Sequence, residues 1–192
     1  MNRGMTVPQS LSNATLGMSI VLFVEIMYFC GLISAYVVLR GQAESWPPAG
    51  QPRLPIWTTA LISVLLITSG VTFIRSPRTL LQGAPTASIR LVRMTFLLGL
   101  GFLLLQGWEW ASLIGYGLTT ASSLYGSLFY TLIGSHALHV MAGLAAMGFV
   151  LHRWRHVTEA HAPISGAFVA VRMYWVFVVA IWPLLYAVVY LW

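Results

Sequence analysis

The sequence predicts an all-α, polytopic membrane protein, a bundle of five transmembrane helices. Composition, run length and charge asymmetry each point there. Apolar residues make up 58% of the 192 positions and charged residues only 7%, against about 25% charged residues in ordinary soluble domains. Ten arginines and four acids cannot cover a globular surface. The apolar residues form five continuous runs, each near the roughly 20 residues a helix needs to cross a bilayer core. Continuous apolarity, rather than alternation with period two, selects helices over a transmembrane barrel.

The first predicted span, about 16–39, is interrupted only by Glu25. It exceeds the apolar core of a signal peptide, about 7–15 residues, and no small-residue cleavage site follows, so it is expected to stay as a membrane span. A turn region follows, marked by Trp46-Pro47-Pro48-Ala49-Gly50 with Pro52 and Pro55. The second span, 56–74, carries no charge, and the third, 94–116, carries Glu109. An uncharged connection near 117–123 leads to the fourth span, 124–151, which holds His136 and His139. The fifth span, 173–192, is uncharged and contains Pro183, which predicts a kink. Small residues suited to close helix contacts occur at Gly31 and Ser34, at Gly99 and Gly101, and along Ala142-Gly143-Leu144-Ala145-Ala146. No internal repeat or soluble segment interrupts the pattern, so residues 1–192 read as one membrane domain.

Arginine positions orient the bundle. With five spans, the N-terminus shares a side with the second and fourth connections. That side holds Arg3, Arg75, Arg78, Arg90, Arg93, Arg153, Arg155 and Arg172, whereas the other holds only Arg40 and Arg53. By the positive-inside rule the N-terminus is cytoplasmic and Trp192 lies on the external, periplasmic side. Trp46, Trp57, Trp108, Trp110 and Trp192 fall near span ends, where interfacial aromatic belts form. The net charge of +6 does not indicate nucleic acid, because the arginines are scattered between apolar runs rather than gathered in a stripe. The single Cys30 excludes an intrachain disulfide and a thiolate metal cluster.

Four ionisable groups lie inside the predicted spans: Glu25, Glu109, His136 and His139. Such groups are costly in hydrocarbon and face the bundle interior or a polar path. At about 1.5 Å of rise per residue, Glu25 lies roughly 14 Å and His139 roughly 18 Å from the cytoplasmic side, with Glu109 and His136 at about 23 and 22 Å. Matched depth predicts two pairs, Glu25 with His139 and Glu109 with His136, with Gln106 extending the second because it shares a face with Glu109. Three roles fit these residue types: locking of helix packing, proton relay, or haem or metal ligation. Ligation fits least well, since His136 and His139 share one helix while His152, His156 and His161 lie in or beside a cytoplasmic connection among Arg153 and Arg155.

A series of motifs runs through these spans. Val24-Glu25-Ile26-Met27-Tyr28-Phe29 is followed by Gly31 and Ala35-Tyr36, then Trp46-Pro47-Pro48 and Ser69-Gly70-Val71. Leu105-Gln106-Gly107-Trp108-Glu109-Trp110 follows, then Tyr125-Gly126-Ser127 with Phe129 and His136-Ala137-Leu138-His139-Val140, and finally Tyr174-Trp175 with Trp182 and Tyr186. In order and spacing the chain resembles subunit III of haem–copper respiratory oxidases over nearly its whole length, in the five-helix form. Longer members have two further helices that form one wall of a lipid-filled cleft. Where many members carry His and Asp in the last helix, this chain has Val176 and Val179.

The resemblance implies a non-catalytic subunit with no active site, haem or metal of its own. It would bind the catalytic subunit I, other oxidase subunits and structural phospholipids in a bacterial cytoplasmic membrane, where the complex reduces oxygen to water and pumps protons during aerobic respiration. It further implies that Glu25 is the family's carbodiimide-reactive carboxyl, with His139 as its partner, supporting proton uptake and turnover stability. Two alternatives share the predicted topology: an accessory subunit of nitric oxide reductase, and a proton-coupled transporter, although the discontinuous helices and paired repeats of a transporter are not visible.

Overall fold

A computed structural model describes residues 9–81, 84–154 and 165–192. Arg3, Arg155, His156, Glu159 and His161 lie outside the described residues. Five α-helices account for nearly all of the rest: α1 (Gln9–Gly41), α2 (Ile56–Leu81), α3 (Pro85–Gly115), α4 (Leu124–Trp154) and α5 (Gly166–Tyr186), the last running into a π-helical turn, Ala187–Leu191. There is no strand among the described residues. All five are long and apolar enough to cross a bilayer. The chain is a multi-pass membrane protein.

The helices are longer than the apolar runs because backbone hydrogen bonding continues where side chains turn polar. α3 starts at Pro85 and carries Arg90 and Arg93 in its first turns, whereas apolarity alone begins it at residue 94. Proline suits that start, since the first N–H groups of a helix have no intrahelical partner. α5 likewise begins before its apolar run, where the Ser165 hydroxyl accepts from the Phe168 N–H at 3.2 Å and caps the first turn. Pro183 sits inside α5, and the π-helical turn that follows closes with Trp192 N–H donating to the Ala187 carbonyl at 3.0 Å.

α2 and α3 form a tight antiparallel pair, and α5 is the hub, packed against α1, α2 and α4. α1 lies against α5 and α4 and turns most of its surface outward, with Phe29 and Tyr36 as its fully buried side chains. Gly31 and Ser34 point away from the bundle, and a methyl group at Gly31 would meet nothing, contrary to the expectation that they sit in a helix contact.

Two tryptophans of α5 fasten it to α2. Trp175 donates from its indole nitrogen to Ser69 Oγ at 3.1 Å, and Trp182 donates to Ser63 Oγ at 2.7 Å. Each serine passes its own proton to a carbonyl one turn back, Leu66 or Thr59, so its oxygen is free to accept the indole. Lipid supplies no hydrophobic drive between helices, so such polar rungs and close packing hold the bundle. Packing is tight at the Trp175 ring: a Cβ on Gly99 would stand 2.6 Å from it, and one on Gly143, 2.7 Å. Both glycines are therefore required as notches. A further rung, Thr72 to Thr95 at 2.8 Å, ties α2 to α3.

Of the tryptophans expected in interfacial belts, Trp57 and Trp108 do face outward near helix ends, 84% and 77% exposed. Trp46 packs edge-on between Tyr36 and Tyr125, and Trp110 packs edge-on against Tyr130.

Candidate functional site

Glu25 and His139 meet across the α1–α4 contact, Oε2 to Nε2 at 2.8 Å. Carboxyl and imidazole sit in an aromatic setting: the His139 ring centroid is 5.0 Å from Phe29 and 5.9 Å from Tyr28, and it stacks on Tyr174 at 6.5 Å. One turn away, Tyr28 and Ser135 share a hydroxyl hydrogen bond of 2.9 Å, a second polar tie between the same helices.

The hydrogen bonds fix how many protons the pair holds. His139 Nδ1 lies 2.6 Å from the Ser135 carbonyl oxygen, which can only accept. Nδ1 therefore carries a hydrogen. A 2.8 Å approach of Nε2 to Oε2 needs a second hydrogen between them. That proton resides either on the carboxyl, giving acid and neutral imidazole, or on Nε2, giving carboxylate and imidazolium. Both arrangements are neutral overall and differ only by a transfer along the contact. Removing the proton leaves a net negative charge and two facing lone pairs in a medium that solvates neither. The arrangement can thus hold one proton and move it within the pair. With side-chain exposures of 25% for Glu25 and 16% for His139, it also reaches the outer face of the bundle.

The second acid is arranged differently. Glu109, 5% exposed, is held by neutral partners: Gln106 donates from Nε2 to Oε2 at 2.8 Å, and Thr59 Oγ1 lies 2.5 Å from Oε1. Thr59 also reaches the Pro55 carbonyl at 3.0 Å, and the Ser63 hydroxyl that receives Trp182 donates to the Thr59 carbonyl. Glu109 is thereby built into the α2–α3–α5 rungs.

The expected contact of Glu109 with His136 does not form. The extension through Gln106 does. His136 is buried and stacks on the Trp182 indole at 4.9 Å, with the edges of Phe29 and Phe102 beside it. Neither of its ring nitrogens has a hydrogen-bond partner among the described residues. Depth was matched but azimuth was not. Three helical residues leave His136 and His139 about 60° apart around α4, on the 3.6-residue turn. One ring therefore meets α1 and the other α5, while the tight α2–α3 pairing turns Glu109 toward Thr59. Sequence reasoning named Tyr28 and Ser69 only as motif positions and missed Thr59, Ser63 and Ser135, whose one signal was hydroxyls recurring along apolar spans.

Among the described residues, no group of three or more His, Cys, Asp or Glu side chains is placed to hold a metal ion. The decisive comparison is with known families: the profile of "Cytochrome c oxidase subunit III" matches residues 3–192. The chain belongs to this family. It is 37% identical over 169 residues to the probable cytochrome c oxidase subunit 3 of Mycobacterium leprae, covering 86% of this chain and 81% of that one. The corresponding Nocardia farcinica protein is 34% identical over 167 residues, with the same coverage. Cytochrome c oxidase subunit 3 of the lancelet Branchiostoma lanceolatum is 33% identical over 190 residues, 95% of this chain and 70% of that one. The role is that of subunit III in a haem–copper oxidase, associated with other oxidase subunits, and subunits III do not hold the redox centres of their complexes.

Proposed function

We propose that this subunit III supports proton uptake and turnover stability of a proton-pumping oxidase through the Glu25–His139 pair, without an active site of its own. The observation that carries this reading is the 2.8 Å contact between a carboxyl and an imidazole whose other nitrogen is already committed as a donor. A single proton held near the bundle surface is available to a neighbouring subunit, and its transfer within the pair creates no net charge. Glu109, Gln106, Thr59, Ser63 and His136 serve the rigidity of the α2–α3–α5 core, since each is tied to, or stacked on, the rungs that join those helices.

The chain binds the catalytic subunit and structural phospholipids in a bacterial cytoplasmic membrane, with its N-terminus inside, as the arginine asymmetry supports. Relatives from mycobacteria and Nocardia favour a bacterial membrane. The test uses the oxidase complex purified in mild detergent with its haem-containing partner. Oxygen consumption is followed over many turnovers for wild type, Glu25→Gln and His139→Gln. A lower initial rate or a shorter active lifetime in both variants is expected. Unchanged rate and lifetime in both would remove the pair from turnover.

A further inference from the structure

Unlike Glu25, Glu109 has no basic partner. It forms no ion pair among the described residues. Thr59 from α2 and Gln106 from α3 bond it, with Tyr190 and Tyr186 from the end of α5 nearby, and none of these is a cation. Arg40, at the same end of the bundle, is engaged by the Trp46 and Trp192 rings and the Trp192 main-chain oxygen. The Thr59 hydroxyl decides the proton count. It has one hydrogen, yet its oxygen lies 3.0 Å from the Pro55 carbonyl, which can only accept, and 2.5 Å from Glu109 Oε1. Gln106 already donates to the other carboxyl oxygen, Oε2. Both Thr59 contacts are hydrogen bonds only when Glu109 is a neutral acid that donates from Oε1. An ionised Glu109 would leave one contact without a hydrogen and a buried anion without a cation.

A route out of the bundle begins at the same hydroxyl. The π-helical turn after α5 buries two consecutive side chains, Val189 and Tyr190, and such turns recur at functional sites. The Tyr190 hydroxyl adjoins Thr59 and Gln106. Neither that hydroxyl nor Gln106 Oε1 is in hydrogen-bond geometry with a partner among the described residues, so both keep capacity to bond a water molecule. Val189 and Tyr190, with Ile56 and Tyr125, also line a cup of about 330 Å³ that opens at the end opposite the arginine-rich one. Tyr190 thus lies between that opening and Thr59. We infer that Glu109 is a second proton-holding site, and that it exchanges its proton with the aqueous phase at the arginine-poor end through Thr59 and Tyr190. The proton on Oε1 passes to the Thr59 oxygen as the hydrogen of Thr59 passes to Tyr190 and that of Tyr190 to water in the cup. The reverse sequence returns a solvent proton, so bonds and charge balance over the cycle. The assignment does not depend on the Glu25–His139 pair, which is reached from another face of the bundle.

Infrared spectroscopy of the full chain in dodecyl maltoside, a detergent without a carbonyl group, tests it. The chain has four acids, all glutamate, so a protonated carboxyl stretch has few sources. A band of this kind at neutral pH is expected in wild type and is expected to be lost in Glu109→Gln. On transfer to heavy water it should shift as deuterium replaces the proton. Tyr190→Phe and Thr59→Val, which keep side-chain shape, should each slow that shift roughly tenfold, the rate equivalent of about 1.4 kcal/mol. Tyr186→Phe, which removes a hydroxyl bonded to the Ile56 carbonyl, should leave the rate as in wild type. An identical carboxyl region in wild type and Glu109→Gln overturns the proton-holding assignment. A wild-type band that never shifts, or a shift at wild-type speed or faster in either Tyr190→Phe or Thr59→Val, overturns the route.

Discussion

Replacing Gly99 by alanine tests the packing account, because one methyl group decides its outcome. The new Cβ would stand 2.6 and 2.7 Å from two ring carbons of Trp175 and 3.1 Å from Leu144 Cδ2. The indole cannot swing aside freely, since Gly143 closes in on the same ring from α4, with 2.7 Å left for a Cβ there. Overpacking of this kind costs about 1–3 kcal/mol. Displacing the ring also strains the bond to Ser69, worth about 0.5–1.5 kcal/mol, whereas removing a helical glycine returns about 0.5–1 kcal/mol. The net expectation is a loss of about 0.5–4 kcal/mol. Gly101, two residues along the same helix, is the control. A Cβ there meets only Leu65 at 3.7 Å, an ordinary contact, so Gly101→Ala is expected to be neutral or stabilising. Reversible unfolding of the full chain in mixed micelles, followed by tryptophan fluorescence, measures both. A Trp175→Phe change in the Gly99→Ala background should recover part of the loss. Equal stability of Gly99→Ala and Gly101→Ala would refute the claim that Trp175 is clamped between two glycines.

His136 and His139 of α4 should respond differently to the same substitution. His136→Phe keeps the stack on Trp182 and should change stability by less than about 1 kcal/mol, whereas His139→Phe strands Glu25 and should cost about 1–3 kcal/mol in the same unfolding assay. Glu109→Gln preserves hydrogen-bonding groups toward Thr59 and Gln106 and should leave assembly of the complex intact. Glu109→Leu orphans the Gln106 amide and should lower the melting temperature of the complex. Ser63→Ala removes the acceptor of the Trp182 indole and should cost about 0.6–2 kcal/mol, the range for polar rungs between membrane helices.

The spans were legible because bilayer thickness sets their length, and each predicted run lies within an observed helix except for a residue or so at its end. Glu25 and His139 were legible because depth alone brings them together when their helices touch. Glu109 was not, because depth leaves rotation about the helix axis open, and the neighbour that fixed it, Thr59, is an unremarkable residue in an uncharged span. Position near a span end left open the packing of Trp46, which fills the space between Tyr36 and Tyr125. The serine acceptors of Trp175 and Trp182 depend on the register of α2 against α5, which no local pattern encodes.

Nitrogen-15 NMR of histidine-labelled chain examines the proton inventory of the Glu25–His139 pair directly. Nδ1 of His139 should be protonated, with Nε2 shifting between wild type and Glu25→Gln as its hydrogen-bond partner changes. A signal from bare Nδ1 with the proton on Nε2, or a His139 resonance indifferent to Glu25→Gln, would contradict the claim that these two side chains share one proton.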